Sequence, residues 1–135
     1  MTLGYSQFFD KEQTKPTHFK EKILDPLPGM YLKVHSIRVD NHDRWKAGRT
    51  IHHCYGNRTK QRECFLVNTC VSTQRLSINY PSDGNVLVII DGRRLQWSEI
   101  GELVVNDGFS SVKEFFDWFN KTEHYTLIHW TEKRY

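Results

Sequence analysis

The chain has 135 residues, enough to bury a core without staples, and it reads as one domain over residues 1–135. Its 38% hydrophobic content and mean hydropathy of −0.64 describe a soluble globular protein, and no run approaches the ~18 apolar residues of a membrane span. The formal charge of +3 is unevenly spread: residues 1–62 hold twelve Lys or Arg against six Asp or Glu, and residues 63–135 hold seven against ten. A basic half suits an anionic partner, and a merely solvated face is the plain alternative. Met1-Thr2-Leu3-Gly4-Tyr5 lacks the features of a signal peptide, so a cytoplasmic protein is expected. Cys54, Cys64 and Cys70 are odd in number and form no C-x-x-C pair. They are expected as reduced thiols, without a disulfide framework or structural zinc.

In chain order, Leu3–Phe9 is expected as a first strand or extended segment. Thr17 is placed to cap a short helix carrying Phe19, Ile23 and Leu24. After the loop of Pro26, Pro28 and Gly29 comes a strand at Lys33–Val39, then a polar turn to Gly48. Arg49–Tyr55 returns as a strand, and Gly56–Arg62 is a basic loop. Cys64–Val67 and Cys70–Ile78 are rich in β-branched and aromatic residues and predict strands, with a bend at Asn68. The apolar run Val86–Ile90 predicts a strand buried on both faces. Asp91-Gly92 is a hairpin turn, with Arg93–Gln96 as the return strand. Ser98 is expected to cap a helix burying Ile100, Leu103 and Val104. Ser111 and Glu114 have capping-box spacing for another helix, with Val112, Phe115, Phe116 and Phe119 as its core stripe. Tyr125–Trp130 is the last strand. The expected fold is α+β: a small mixed barrel of five to seven strands with two or three flanking helices.

The densest chemistry lies in Lys33–Arg49. Lys33, His35, Arg38, Arg44, Lys46 and Arg49 surround one hydroxyl, Ser36, and one indole, Trp45, expected to be exposed. Cations beside an aromatic plane suit a ligand with phosphates and a stackable base. The same segment can hold a lysine-activated hydroxyl nucleophile. No metal-binding spacing such as H-E-x-x-H and no Gly-rich phosphate loop occurs, so no cofactor is expected. His52 and His53, adjacent in a strand, face opposite ways and make a poor metal pair. His35 and His129 are expected as hydrogen-bonded strand residues.

The string Lys33-x-x-Ser36-Ile37-Arg38, then Trp45-Lys46-x-Gly48, followed later by Asp107-Gly108-Phe109-Ser110-Ser111, resembles the ASCH domain of the PUA-like superfamily. The closing Ile128-His129-Trp130-Thr131 and Tyr135 are similar to a phage and prophage subgroup of unknown role. The resemblance covers roughly residues 30 to 130. It implies a small barrel with a cleft beside the helices, and binding of RNA or nucleotides. One bacterial branch hydrolyses the amide of N4-acetylcytidine with a Lys, a Thr three residues later and a Glu before a helix. By motif position these roles fall on Lys33, Ser36 and Asp107, with Ser in place of Thr and Asp in place of Glu. Gly48-Arg49 stands where the family has Gly-Asp.

In such a site Ser36 attacks the acyl carbonyl and Lys33 takes its proton. A lysine titrates near ~10.4 when free, so it must be brought to roughly 7–8 by burial or neighbouring cations. Asp107 pulls the other way and is better suited to orient the lysine or assist the departing amine. A plain Lys33–Asp107 salt bridge is the bland alternative. On a regular strand, positions three apart face opposite sides, so cooperation requires a bulge, a sharp twist or Lys33 in the loop before the strand, and a bulge is predicted within Lys33–Ser36. Three functions are therefore expected to compete. The first is an RNA- or nucleotide-binding module, with Lys33, Arg38, Lys46, Arg49, Arg58, Lys60 and Arg62 on phosphates and Trp45 and Tyr55 stacking. The second is a nucleoside amidohydrolase using Lys33, Ser36 and Asp107. The third is a protein-interaction module whose aromatic helix is partly exposed.

Overall fold

The computed structural model describes residues 1–56 and 59–135. Among them the order is β1 (Thr2–Tyr5), α1 (Phe19–Leu24), β2 (His35–Arg38), β3 (Thr50–Tyr55), β4 (Glu63–Thr69), β5 (Ser72–Asn79), β6 (Leu87–Ile90), β7 (Arg93–Arg94), α2 (Trp97–Asn106), α3 (Val112–Trp118) and β8 (Glu123–His129). The fold is α+β, but the expected barrel is not formed. The strands make two open sheets, one ordered β1-β3-β4 and one ordered β2-β8-β5-β6-β7. β1 runs parallel to β3, and every other pairing is antiparallel. A closed barrel needs two partners for each strand. Here β1, β2, β4 and β7 have one each. β1 and β2 approach each other without a ladder. Between them the Arg38 guanidinium donates to Ile37 O (2.9 Å) and to Gly4 O (2.8 Å). One cation thus bridges the two sheets where backbone pairing is absent.

Local chemistry explains most of the boundaries. Asp91 (φ 49°) and Gly92 (φ 82°) both take left-handed geometry, as a two-residue hairpin between twisted strands requires. In β6, Val88 and Ile90 are buried while Leu87 and Ile89 are half-buried, so full burial is reached on one face only. The bend expected at Asn68 comes two residues later. Cys70 N–H donates to Arg49 O and Val71 N–H to His129 O, and here the chain leaves the first sheet for the second. Thr17 sits just outside α1; its hydroxyl donates to Ser6 O (2.7 Å) and accepts Phe19 N–H only distantly (3.4 Å). α2 starts one residue before Ser98, with Gln96 N–H donating to Glu99 Oε1 (3.1 Å). α3 is capped as expected, Ser111 Oγ accepting Glu114 N–H at 3.1 Å.

The helices close the core around an aromatic cluster. Phe109 meets Phe19, Phe115 and Phe119 edge-to-face at centroid separations of 6.0, 5.3 and 5.9 Å. Phe115 and Phe119 are buried, and Val112 and Phe116 are half-buried. Half of the stripe is spent on packing, and Val112 and Phe116 keep partly exposed faces. No helix among the described residues is long and apolar enough to cross a membrane.

One expectation about the cysteines is overturned. Cys54 and Cys64 are paired across β3 and β4, and a disulfide joins them. Hairpin register, not C-x-x-C spacing, brings them together. Cys70 stays a buried free thiol. Ten residues separate the bridged pair, so loop-closure entropy predicts that Cys64→Ser lowers stability by about 2–3 kcal/mol. Urea midpoints of the variant and of reductant-treated parent should fall together. An unchanged midpoint in both would show that the bridge adds nothing.

Candidate active site

A cleft of about 310 Å³ lies between β1, β2 and the α2–α3 turn, with Tyr5, Lys33, Ser36, Arg38, Asp107 and Trp118 among its lining residues. Lys33, Ser36 and Asp107, far apart in sequence, therefore share one concavity. The predicted bulge is not how this happens. The β2–β8 register runs without interruption from His35 to Arg38. Lys33 instead precedes the strand, in a segment fixed by Lys33 N–H to Lys22 O (2.8 Å) and Val34 N–H to Asn106 O (2.9 Å). Outside the strand it escapes the alternation that would point it away from Ser36. Among the described residues, a register shift lies instead between His53 and Cys54.

The α2–α3 turn is built to meet Lys33. Gly108 has φ +98°, and a Cβ there would lie 2.9 Å from the Phe19 ring and 3.1 Å from Lys33 Cδ. Only glycine allows both this geometry and this approach. Lys33 is 2% exposed. Its Nζ donates to His35 O (2.7 Å) and Asp107 O (2.5 Å), with Asp107 Oδ1 at 3.4 Å. It also lies 4.9 Å from the Phe19 ring centroid. Burial pushes its pKa down to about 8, against the opposing pull of Asp107 and with help from Arg38. When neutral, its two hydrogens satisfy the two carbonyls and its lone pair is left to accept a proton.

Ser36 is fully buried, and its Oγ has no hydrogen-bond partner among the described residues. Such orphaned hydroxyls are uncommon in a packed interior and call for an explanation. The Tyr5 hydroxyl nearby is engaged with His53 Nδ1 at 2.8 Å. Burial holds the Tyr5 hydroxyl well above its usual pKa, so it stays protonated.

Asp107, at the end of α2, is steadied from behind. Asn106 Nδ2 donates to the Tyr135 hydroxyl (2.9 Å), which donates to His35 Nε2 (2.7 Å), and His35 Nδ1–H donates to Asp107 Oδ1 (3.0 Å). This assignment makes His35 neutral, in line with burial lowering its pKa despite the opposing Asp107. His129 Nε2–H donates to Gln74 Oε1 (2.9 Å), and burial pushes its pKa down to about 3. Both histidines are hydrogen-bonded strand residues, as expected.

The other expected ligand-binding residues divide. Arg38 lines the cleft, while His35 lies buried behind it. Arg44, Lys46 and Arg49 are exposed on the β2–β3 connection and do not line this cleft. Trp45 is 6% exposed, so the open indole is not there; Asp40 accepts its N–H and that of Arg44, folding the turn over the core. Tyr55 is buried too, its hydroxyl accepting Lys20 N–H. Lys60 and Arg62 are exposed, and Arg58 lies outside the described residues. His52 is exposed and His53 buried, and among the described residues no three His, Cys, Asp or Glu gather as a metal set. Tyr5, Trp118 and the positioning role of Tyr135 were not anticipated. Trp118 alone carried a signal: it falls off the apolar stripe of α3, so it faces away from the core.

A family model described as "Domain of unknown function (DUF7713)" matches residues 56–119. That span includes Asp107 and Trp118 but not Lys33 or Ser36. No curated protein and no solved structure matches the chain.

Proposed function

We propose that this protein hydrolyses the amide of an acylated nucleoside, with Ser36 as nucleophile and Lys33 as base. Ser36, which lines a cleft with buried Lys33 and whose hydroxyl has no hydrogen-bond partner among the described residues, carries the reading. The similarity of Lys33, Ser36 and Asp107 to the ASCH pattern supports it. Neutral Lys33 takes the Ser36 proton as Oγ bonds to the acyl carbon. The carbon–nitrogen bond then breaks, and the same proton passes to the departing amine. Water attacks the resulting ester, Lys33 moves its proton to Oγ, and the carboxylic acid leaves. Asp107 orients the lysine and stabilises its charged form between the steps.

N4-acetylcytidine tests the proposal, with cytidine and acetate followed by chromatography. Lys33 must be neutral to accept the proton, so kcat/KM should rise with pH through about 8 and then level. No product from a panel of N-acylated nucleosides, or a rate falling across that interval, overturns it.

A second reading, binding of RNA or a nucleotide, is favoured by one observation: Arg44, Lys46 and Arg49 are exposed together on one connection. It requires affinity for RNA oligonucleotides that drops steeply with salt.

A further inference from the structure

The cleft does not end at Ser36. A groove of about 490 Å³ lined by Gln7, Phe9, Asp10 and Lys11 adjoins it, and Tyr5, Ser6 and Trp118 line both. Trp118 also borders a third depression that includes Lys15 and Glu114. It therefore stands at the rim where all three meet. It is 41% exposed, although it closes an α-helix against an aromatic core. Phe9 and Phe109 hold it edge-to-face, with interplanar angles of 87° and 60°. Neither is parallel to the indole, so neither takes the place of a stacked ring.

Among the described residues, the charges around this rim nearly cancel. Asp10 opposes Lys11 in the groove, and Glu114 and Asp117 accompany Lys15 and Lys113 beside it. A polynucleotide track needs a one-signed, cationic surface. The exposed cations Arg44, Lys46 and Arg49 line neither depression. The rim is therefore suited to a planar, uncharged group.

We propose that Trp118 is the platform on which the ring of a free, uncharged acylated nucleoside stacks, while its acyl group reaches Ser36 and its sugar occupies the adjoining groove. The inference rests on the proposed hydrolytic reading, and it adds the substrate form and the residue that recognises it. The indole takes the role that the sequence had assigned to Trp45.

The test is calorimetric titration of N4-acetylcytidine into Ser36→Ala protein, with Trp118 varied in that background. Trp118→Phe keeps an aromatic face and should bind within about threefold of the parent, whereas Trp118→Leu should bind about tenfold or more weakly. Melting temperatures of the two variants should agree, which separates stacking from folding. Equal affinity for the Leu and Trp forms overturns the platform and leaves the hydrolytic reading standing. No binding by any form overturns both. Tighter, steeply salt-dependent binding of an oligonucleotide carrying one acetylcytidine overturns the free-nucleoside form.

Discussion

Ser36→Ala is expected to lose deacylation of N4-acetylcytidine by at least about 10³-fold while unfolding no more readily than the parent protein. The two halves of this result come from one fact. The hydroxyl is buried beside Tyr5 and has no partner at hydrogen-bond geometry among the described residues. A buried polar group without a partner costs about 1–3 kcal/mol relative to one that is satisfied, so its removal relieves the fold. A small gain in melting temperature is therefore the expected sign. An ordinary strand serine behaves differently, because its loss leaves a former partner unsatisfied. Thermal unfolding and single-turnover assays on the same preparation read both halves. Turnover near the parent level, or a fall in melting temperature of many degrees, sinks the assignment of Ser36 as nucleophile.

The other large effect is on stability. Asp107→Ala should cost about 3–5 kcal/mol, because it leaves buried Lys33 without its charged partner and His35 without its acceptor. Asp117→Ala is the matched control. Its pair with Lys113 is one helical turn apart and widely exposed, so its loss should leave the urea midpoint close to that of the parent. Urea denaturation of the two variants decides this. Equal midpoints would mean that Asp107 is no more than a surface-like partner. Asp107→Asn should fall between them, since it keeps an acceptor for His35 and loses only the charge facing Lys33.

The parts of this architecture that follow local rules were legible. Asp91-Gly92 encodes its turn through backbone geometry, and Ser111 caps α3 through its own hydroxyl. Apolar periodicity placed Ile100, Leu103 and Val104 in the core. The ends of strands and the closure of the sheets were not legible, because they depend on pairing between distant segments. Nothing local to β1 shows that it runs parallel to β3 and leaves β2 with β8 as its one partner. The Cys54–Cys64 bridge was hidden for the same reason, being a product of cross-strand register.

The site divides along that line as well. Lys33, Ser36 and Asp107 line one cleft, and of the three ways around strand alternation it is the place of Lys33 before the strand that applies. A hydrogen-bonded lead-in to β2 replaces the predicted bulge. Trp45 was misplaced because an indole beside cations looks exposed in sequence. Its burial follows from Asp40 tying the turn back onto the core, which needs the tertiary structure to be seen. The chain through Asn106, Tyr135 and His35 spans elements 29 to 100 residues apart, and no spacing rule reaches that far.

The missing ladder between β1 and β2 has a consequence for access. A seamless sheet can admit a guest at such a place only by unzipping interstrand amide bonds. Among the described residues, the hydrogen bond that crosses this seam is that of the Arg38 side chain, anchored to Gly4 O. Opening a way to the buried Ser36 would then ask for a swing of one guanidinium, with both slabs of backbone left intact.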